Sequence, residues 1–90
     1  MKEKRDRMQI VHDILQAIVD KQGKIKPTHL LYKSNLSHGR LMHYVQDLVD
    51  KDLVKKDFDD SSTFYIITDK GLKFLAEYRR MREFTDSFGL

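Results

Sequence analysis

The sequence predicts a mostly α fold with a small β-hairpin, an α+β arrangement in which a helix-turn-helix is followed by two strands and a closing helix. Three features predict it. The segment 27–51 holds a short helical stretch, a tight polar break at Asn35, Leu36 and Ser37, and a longer amphipathic run. Two β-prone stretches, about 53–58 and 63–68, flank the polar turn 59–62. Before and after this block, apolar residues recur at three- and four-residue steps, the period of a helix with one buried face. A helix presented on such a turn is a common way of placing side chains in a DNA major groove.

The first helix is predicted over 5–21, with Met8, Val11, Ile14, Leu15 and Ile18 on one face. Gly23 follows the last basic residues and suits a C-terminal cap. The second helix starts at Pro27 or Thr28, since proline presets φ and the threonine hydroxyl can accept from an orphan N–H of the first turn. Leu30 and Leu31 supply its buried side. The third helix begins at Ser37, a good N-cap. At about 100° per residue, Leu41, Val45, Leu48 and Val49 share a face, with Met42 at its edge. Gly39, Arg40, His43, Gln46, Asp47 and Asp50 occupy the opposite face. That face has nothing apolar to bury and points to water or to a ligand. In the hairpin, Phe64 and Ile66 alternate with Tyr65 and Ile67, so one pair faces the core. The fourth helix opens with Thr68 as cap and Asp69 at the positive end of its dipole. Its apolar line is Leu72, Phe74, Leu75, Tyr78, Met81, Phe84 and Phe88.

The 90 residues are expected to form one domain, 1–90, with no internal repeat or linker. A chain of this size buries only roughly 60–65% of its unfolded surface, and the 40% hydrophobic content suffices for one small core. Without cysteine there are no disulfides and no thiolate zinc sites. No apolar run approaches the ~20 residues of a membrane span, and no signal-peptide apolar region follows the charged N-terminus. The expectation is a cytoplasmic protein with no membrane partner. The net charge of +3 is a mild basic bias, compatible with nucleic acid. Asp heavily outnumbers Glu, so the Lys/Glu enrichment of hyperthermophiles is missing. His12, His29, His38 and His43 contain no HxxxH pair, and the segment from Asp57 lacks the central Gly and terminal Glu of a calcium loop. There is no GxSxG, P-loop or GxGxxG either. Neither an enzyme nor a metal or cofactor is expected.

Three stretches carry a family resemblance: Thr-His-Leu-Leu-Tyr-Lys-Ser-Asn-Leu-Ser over 28–37, Tyr-Val-Gln-Asp-Leu-Val-Asp-Lys-Asp-Leu-Val over 44–54, and Tyr-Ile-Ile-Thr-Asp-Lys-Gly-Leu-Lys-Phe-Leu over 65–75. In this order they resemble the small archaeal winged helix-turn-helix DNA-binding regulators, the ArnR-like family. That group is in turn similar to small archaeal chromatin-type DNA-binding proteins that dimerise through a C-terminal helix. With the first helix included, the resemblance covers nearly all of the chain. It implies a winged helix-turn-helix whose hairpin is the wing, a C-terminal dimerisation helix, and double-stranded DNA as partner. A strand ending in Ile-Thr, then x-Lys-Gly before an apolar helix, is frequent after the wing in this superfamily. Thr68 can cap the helix, and Gly71 permits close backbone approach where the helix leaves the sheet. One departure is Lys51, Asp52, Leu53, where the family usually has Lys-Gly-Leu. Aspartate tolerates a left-handed backbone less well than glycine and adds a carboxylate near the candidate DNA face.

Arg40 and His43 are the leading contacts: an arginine near the start of a recognition helix grips guanine through two acceptors, and histidine donates to bases or phosphate. Ser37 and His38 can reach backbone oxygens, and Thr28 joins this set from the second helix. Lys33, Lys55 and Lys56 are candidate phosphate partners. Each of these charges reads equally well as an ordinary solvated side chain. Tyr44 is expected as a packed aromatic at the edge of the buried face, and Tyr32 divides between core and phosphate contact. Against DNA stand the carboxylates of the wing tip, Asp57, Asp59 and Asp60, since the minor groove is electronegative. Asp47 and Asp50 on the third helix add to that objection. The alternative function is therefore a protein-interaction module that docks a partner on the acidic wing. On the fourth helix, about 69–86, Leu72 and Leu75 are expected to pack on the first helix and the sheet. Tyr78, Met81, Phe84 and Phe88 run beyond any obvious internal partner, and Arg79 with Glu83 and Arg82 with Asp86 can pair on the outer side. The expectation is a two-fold homodimer through this helix. The alternative folds it back on its own first helix.

Overall fold

In the computed structural model, which describes residues 4–90, the elements run α1 (Arg7–Asp20), β1 (Lys24–Ile25), α2 (Pro27–Ser34), α3 (His38–Asp50), β2 (Val54–Asp59), β3 (Ser62–Ile67) and α4 (Asp69–Ser87). α1 starts two residues later than its apolar period predicts because Asp6 caps it. The Asp6 carboxylate accepts from the Gln9 backbone N–H, and the Gln9 side-chain oxygen accepts from the Asp6 N–H, both at 2.8 Å. This capping box satisfies two donors reciprocally. Ile10, Val11, Ile14, Leu15, Ala17 and Ile18 are buried, so α1 is the centre of the core. Met8, expected on the same face, is 46% exposed. It lies in the first turn, at the margin of a shallow cavity shared with Phe74, Tyr78 and Met81 of α4.

The end of α1 is a Schellman motif, in which Gln22 N–H donates to Val19 O at 2.8 Å and Gly23 N–H to Ile18 O at 2.9 Å. The left-handed cap residue is Gln22, at φ 63°, and Gly23 follows at φ 89°. Gly23 thus completes the cap rather than forming it alone. The chain then enters β1, a strand of two residues that leaves no periodic trace in the sequence. It pairs antiparallel with β3, Lys24 opposite Ile66 and Ile25 opposite Tyr65, and the sheet order is β1-β3-β2. β3 is therefore a central strand with the buried Tyr65 facing inward.

Pro27 opens α2 behind the extended residue Lys26, with no side-chain capping bond. Thr28 is not the cap, because it already lies inside the helix, where a cap geometry is excluded. Leu30 and Leu36 are buried and Leu31 half-buried around the left-handed turn at Asn35. α3 does begin behind Ser37, whose hydroxyl oxygen accepts from the Arg40 N–H at 3.3 Å. It ends as α1 does: Asp52 N–H donates to Val49 O at 3.1 Å and Leu53 N–H to Leu48 O at 2.8 Å, with Asp52 at φ 65°. Leu41, Val45 and Leu48 are buried, with Val49 half-buried beside them.

The α3–β2 turn is docked on the start of α4. Thr68 accepts from Gly71 N–H at 3.1 Å and donates its hydroxyl to Asp52 O at 2.7 Å, and Lys70 Nζ donates to Lys51 O at 2.7 Å. Gly71 allows this approach: a Cβ there would stand 2.4 Å from Leu53 O. Gly71 and Leu75 take the inward line of α4, so Leu72, rotated about 100° from Gly71, is 46% exposed instead of packed. Tyr78 also departs from expectation. It is half-buried against α1, stacked on His12 with ring centroids 4.5 Å apart. Beyond it, Met81, Phe84 and Phe88 are 48%, 64% and 68% exposed. The outer-face ion pair joins Arg80 to Glu77 at 3.1 Å, in place of the expected pairs of Arg79 with Glu83 and Arg82 with Asp86. Among the described residues no helix is long and apolar enough to cross a membrane.

Candidate nucleic-acid interface

The helix period that buries Leu41, Val45 and Leu48 turns His38, Arg40, His43 and Gln46 outward, and all four are exposed. Nothing lies within 4 Å of a Cβ built on Gly39, so a side chain would fit at that position. Ser37 sits at its start, its oxygen engaged by Arg40 N–H and its own hydroxyl hydrogen left to donate. Arg40 and His43 are three residues apart and therefore neighbours on the surface. The His43 ring meets Tyr44 edge-on at 6.2 Å. Tyr44 is half-buried, and the Arg7 guanidinium covers its ring at 5.7 Å.

The carboxylates of this face are occupied. Asp47 takes hydrogen bonds from Lys51 and from Arg7, which comes from the start of α1. The Lys51 hydrogen bond is the largest influence on its carboxyl; with the Lys51 charge and the Arg7 contacts it outweighs the opposing effect of desolvation and holds the pKa below the ordinary value. Asp50 accepts from Gln46 Nε2 at 2.9 Å. Nothing in the local sequence signals the Arg7 contact, which spans 40 positions.

In the wing, one of the three carboxylates is paired with a cation. Asp59 lies 3.7 Å from Lys24 Nζ of β1. Asp57 accepts from the Phe58 N–H at 2.8 Å. Asp60 has φ 55°, a conformation that aspartate tolerates better than most residues. Lys24 and Lys26 also stand over the Phe64 ring, at 4.2 and 6.0 Å from its centre. These two lysines are a basic feature beside the wing that sequence reasoning missed, because β1 itself was invisible.

The other candidates are dispersed. Lys55 pairs with Ile66 on the outer sheet face, the face of Lys24. Lys56 pairs with Tyr65, whose hydroxyl approaches Met42 Sδ of α3 at 4.0 Å, so it lies on the α3 side of the sheet. Strand alternation thus separates two neighbouring lysines. Thr28 is exposed in the first turn of α2, one turn before Tyr32, which is 86% exposed and so is neither core nor packed. Lys33 lines a groove with Asp13, Gln16 and Asp20 of α1, apart from the α3 face. No group of His, Asp or Glu among the described residues is arranged to hold a metal ion.

A family model described as winged helix-turn-helix matches residues 4–86. An uncharacterised protein of Methanocaldococcus jannaschii is 31% identical over 68 residues, covering 76% of this chain and 29% of that protein. The chain thus spans less than a third of that relative's length. Sso10a-2, a DNA-binding protein from Sulfolobus solfataricus, superposes with a TM-score of 0.76 at 24% identity over 94% of this chain and 90% of that one. F93 from STIV, a winged-helix DNA-binding protein, superposes with a TM-score of 0.71 at 19% identity over 89% of this chain and 92% of that one. At such identities these two likenesses establish the fold.

Proposed function

This chain belongs to the winged helix-turn-helix family, and we propose that it is a DNA-binding transcription regulator of the ArnR-like type, one domain over 1–90, reading the major groove with α3. The observation that carries the reading is the solvent-exposed face of Ser37, His38, Arg40 and His43, with Asp47 beside it paired to Lys51 and Arg7. The ion pairs of Asp47 with Lys51 and Arg7 offset the repulsion it would oppose to a phosphate backbone, whereas Asp50, bonded to the neutral Gln46 amide, keeps its charge. The DNA-binding descriptions of Sso10a-2 and F93, which share the fold, support the same reading. In it, Arg40 reads a base edge, while Ser37, His38, His43, Thr28 and Lys56 hold backbone oxygens. Lys33 and Lys55 contribute at longer range, and the protein works on double-stranded DNA in the cytoplasm.

Fluorescence anisotropy with random and genomic duplexes tests this. Arg40→Ala weakens specific binding by about 1–3 kcal/mol. An equal loss on every sequence reassigns Arg40 to phosphate, and no loss removes α3 as the reader. Absence of any binding at ~50 mM salt refutes the DNA reading, since even non-specific cationic binders associate there. One feature favours the second reading, a protein-interaction module: Phe58 is 68% exposed amid the acidic wing tip. A stoichiometric protein complex formed without DNA affinity and lost in Phe58→Ala would select it.

The exposed stripe of Met81, Phe84 and Phe88, with Tyr78 at its edge, supports pairing of α4 with its copy in a two-fold homodimer. Two recognition helices would then meet successive major grooves ~34 Å apart. Light scattering at micromolar concentration should give twice the chain mass of 10.7 kDa, and Phe84→Glu should return the monomer with the wing still folded. A wild-type monomer refutes the dimer.

A further inference from the structure

Between the first half of α1 and the outer half of α4 lies a cavity of about 370 Å³, lined by Arg5, His12, Asp13, Tyr78, Arg79 and Arg82. Among the described residues its lining carries three guanidiniums and one carboxylate. The Asp13 carboxylate already accepts from Arg5 at 2.8 Å and lies 3.0 Å from His12 Nδ1. Burial alone would raise the Asp13 carboxyl, but the hydrogen bonds and charges of Arg5 and His12 outweigh it and hold the group below its ordinary value. Asp13 is therefore a committed anion with its own partners. Arg79 and Arg82, three apart on α4, line the same cavity and make no ion pair with a described residue. Like charges at this spacing on a helix oppose each other.

We propose that this cavity binds a small phosphorylated metabolite, its dianionic phosphoryl group held between Arg79 and Arg82. Planar guanidinium forks match phosphate oxygens bidentately, and two of them balance a dianion. The cavity lies within the size range of small-molecule sites and is larger than a bare phosphate fills. The remaining space runs along the stacked Tyr78 and His12 rings, a wall for the organic part of the ligand. Gln9 also lines the cavity, and its side-chain oxygen is held by Asp6 N–H, which leaves its amide N–H groups as donors. The site connects to the helix-turn-helix: Arg5 donates to the Ser34 carbonyl at the last residue of α2 at 3.0 Å. Ligand binding here does not require that α3 meet DNA.

Calorimetry and thermal melts of the full chain with inorganic phosphate, phosphoserine and ribose 5-phosphate, at constant ionic strength with chloride as control, test the site. The expected result is saturable binding of phosphate, tighter binding of an organic phosphate, and at least about a tenfold loss of affinity in both Arg79→Gln and Arg82→Gln. These residues are exposed, so the variants fold, and their unliganded melting temperature verifies it. A shift that chloride reproduces, or binding unchanged in the two variants, overturns the proposal. So does a lower oligomeric mass in the variants without any phosphate binding by the wild type, which assigns both guanidiniums to contacts between copies.

Discussion

Gly71→Ala should lower the stability of the fold by about 2–3 kcal/mol and its melting temperature by roughly 10–20 °C. The added Cβ would stand 2.4 Å from Leu53 O and 2.7 Å from Ile67 Cγ1. The isoleucine can turn away, but the carbonyl cannot, because it accepts from Thr68 N–H at 3.3 Å in the turn that docks α3 on α4. Alanine's better helix propensity returns about 1 kcal/mol, well short of the clash. Thermal unfolding followed by circular dichroism reads the result. A melting temperature within a degree or two of wild type would mean that the α3–β2 turn yields freely and that the joint is loose.

Leu48→Ala should cost about 2–5 kcal/mol, the range for emptying a buried leucine site. Leu48 is 2% exposed in the core cluster with Leu41 and Val45, and α1 supplies the other wall of that core. Urea denaturation is the measurement, with Gln46→Ala on the outward face as a companion that stays near wild type. Equal stabilities for the two variants would mean that α3 is rotated from its assigned orientation. The outward set of Arg40 and His43 would then lose its basis.

Much of the architecture was legible because it is written locally. The caps at Ser37 and Thr68, the left-handed Asp52 and the close approach at Gly71 are each set by a few adjacent residues, and each is present. What escaped depends on distance or on brevity. β1 is two residues long, too short for alternation, yet it makes β3 a central strand and brings Lys24 to Asp59. The Asp47 contact with Arg7 joins opposite parts of the chain, so Asp47 looked like an unpaired obstacle to DNA. Tyr78 shares the helical period of Met81 and Phe84, and only the position of His12 on α1 separates it from them. The division of Lys55 from Lys56 was available in the sequence, since neighbours on a strand face opposite ways. Lys33 needed the packing of α2 against α1 to be placed beside Asp13 and Asp20.

The hydroxyl of Thr68 has a mechanical consequence. It clasps the turn after α3 while capping α4, and Gly71 removes the side chain that would hold the two apart. α3 and the 19-residue α4 therefore share one stiff base. At 1.5 Å per residue, α4 is a lever of roughly 28 Å, and a tilt of about 5° at its base carries its far end by roughly 2 Å. Conversely, a contact that fixes the distal end at Phe84 and Phe88 restrains the orientation of α3 with a long mechanical advantage. The angular setting of α3 can thus be governed from the opposite end of the molecule, with the Thr68 clasp passing the motion on.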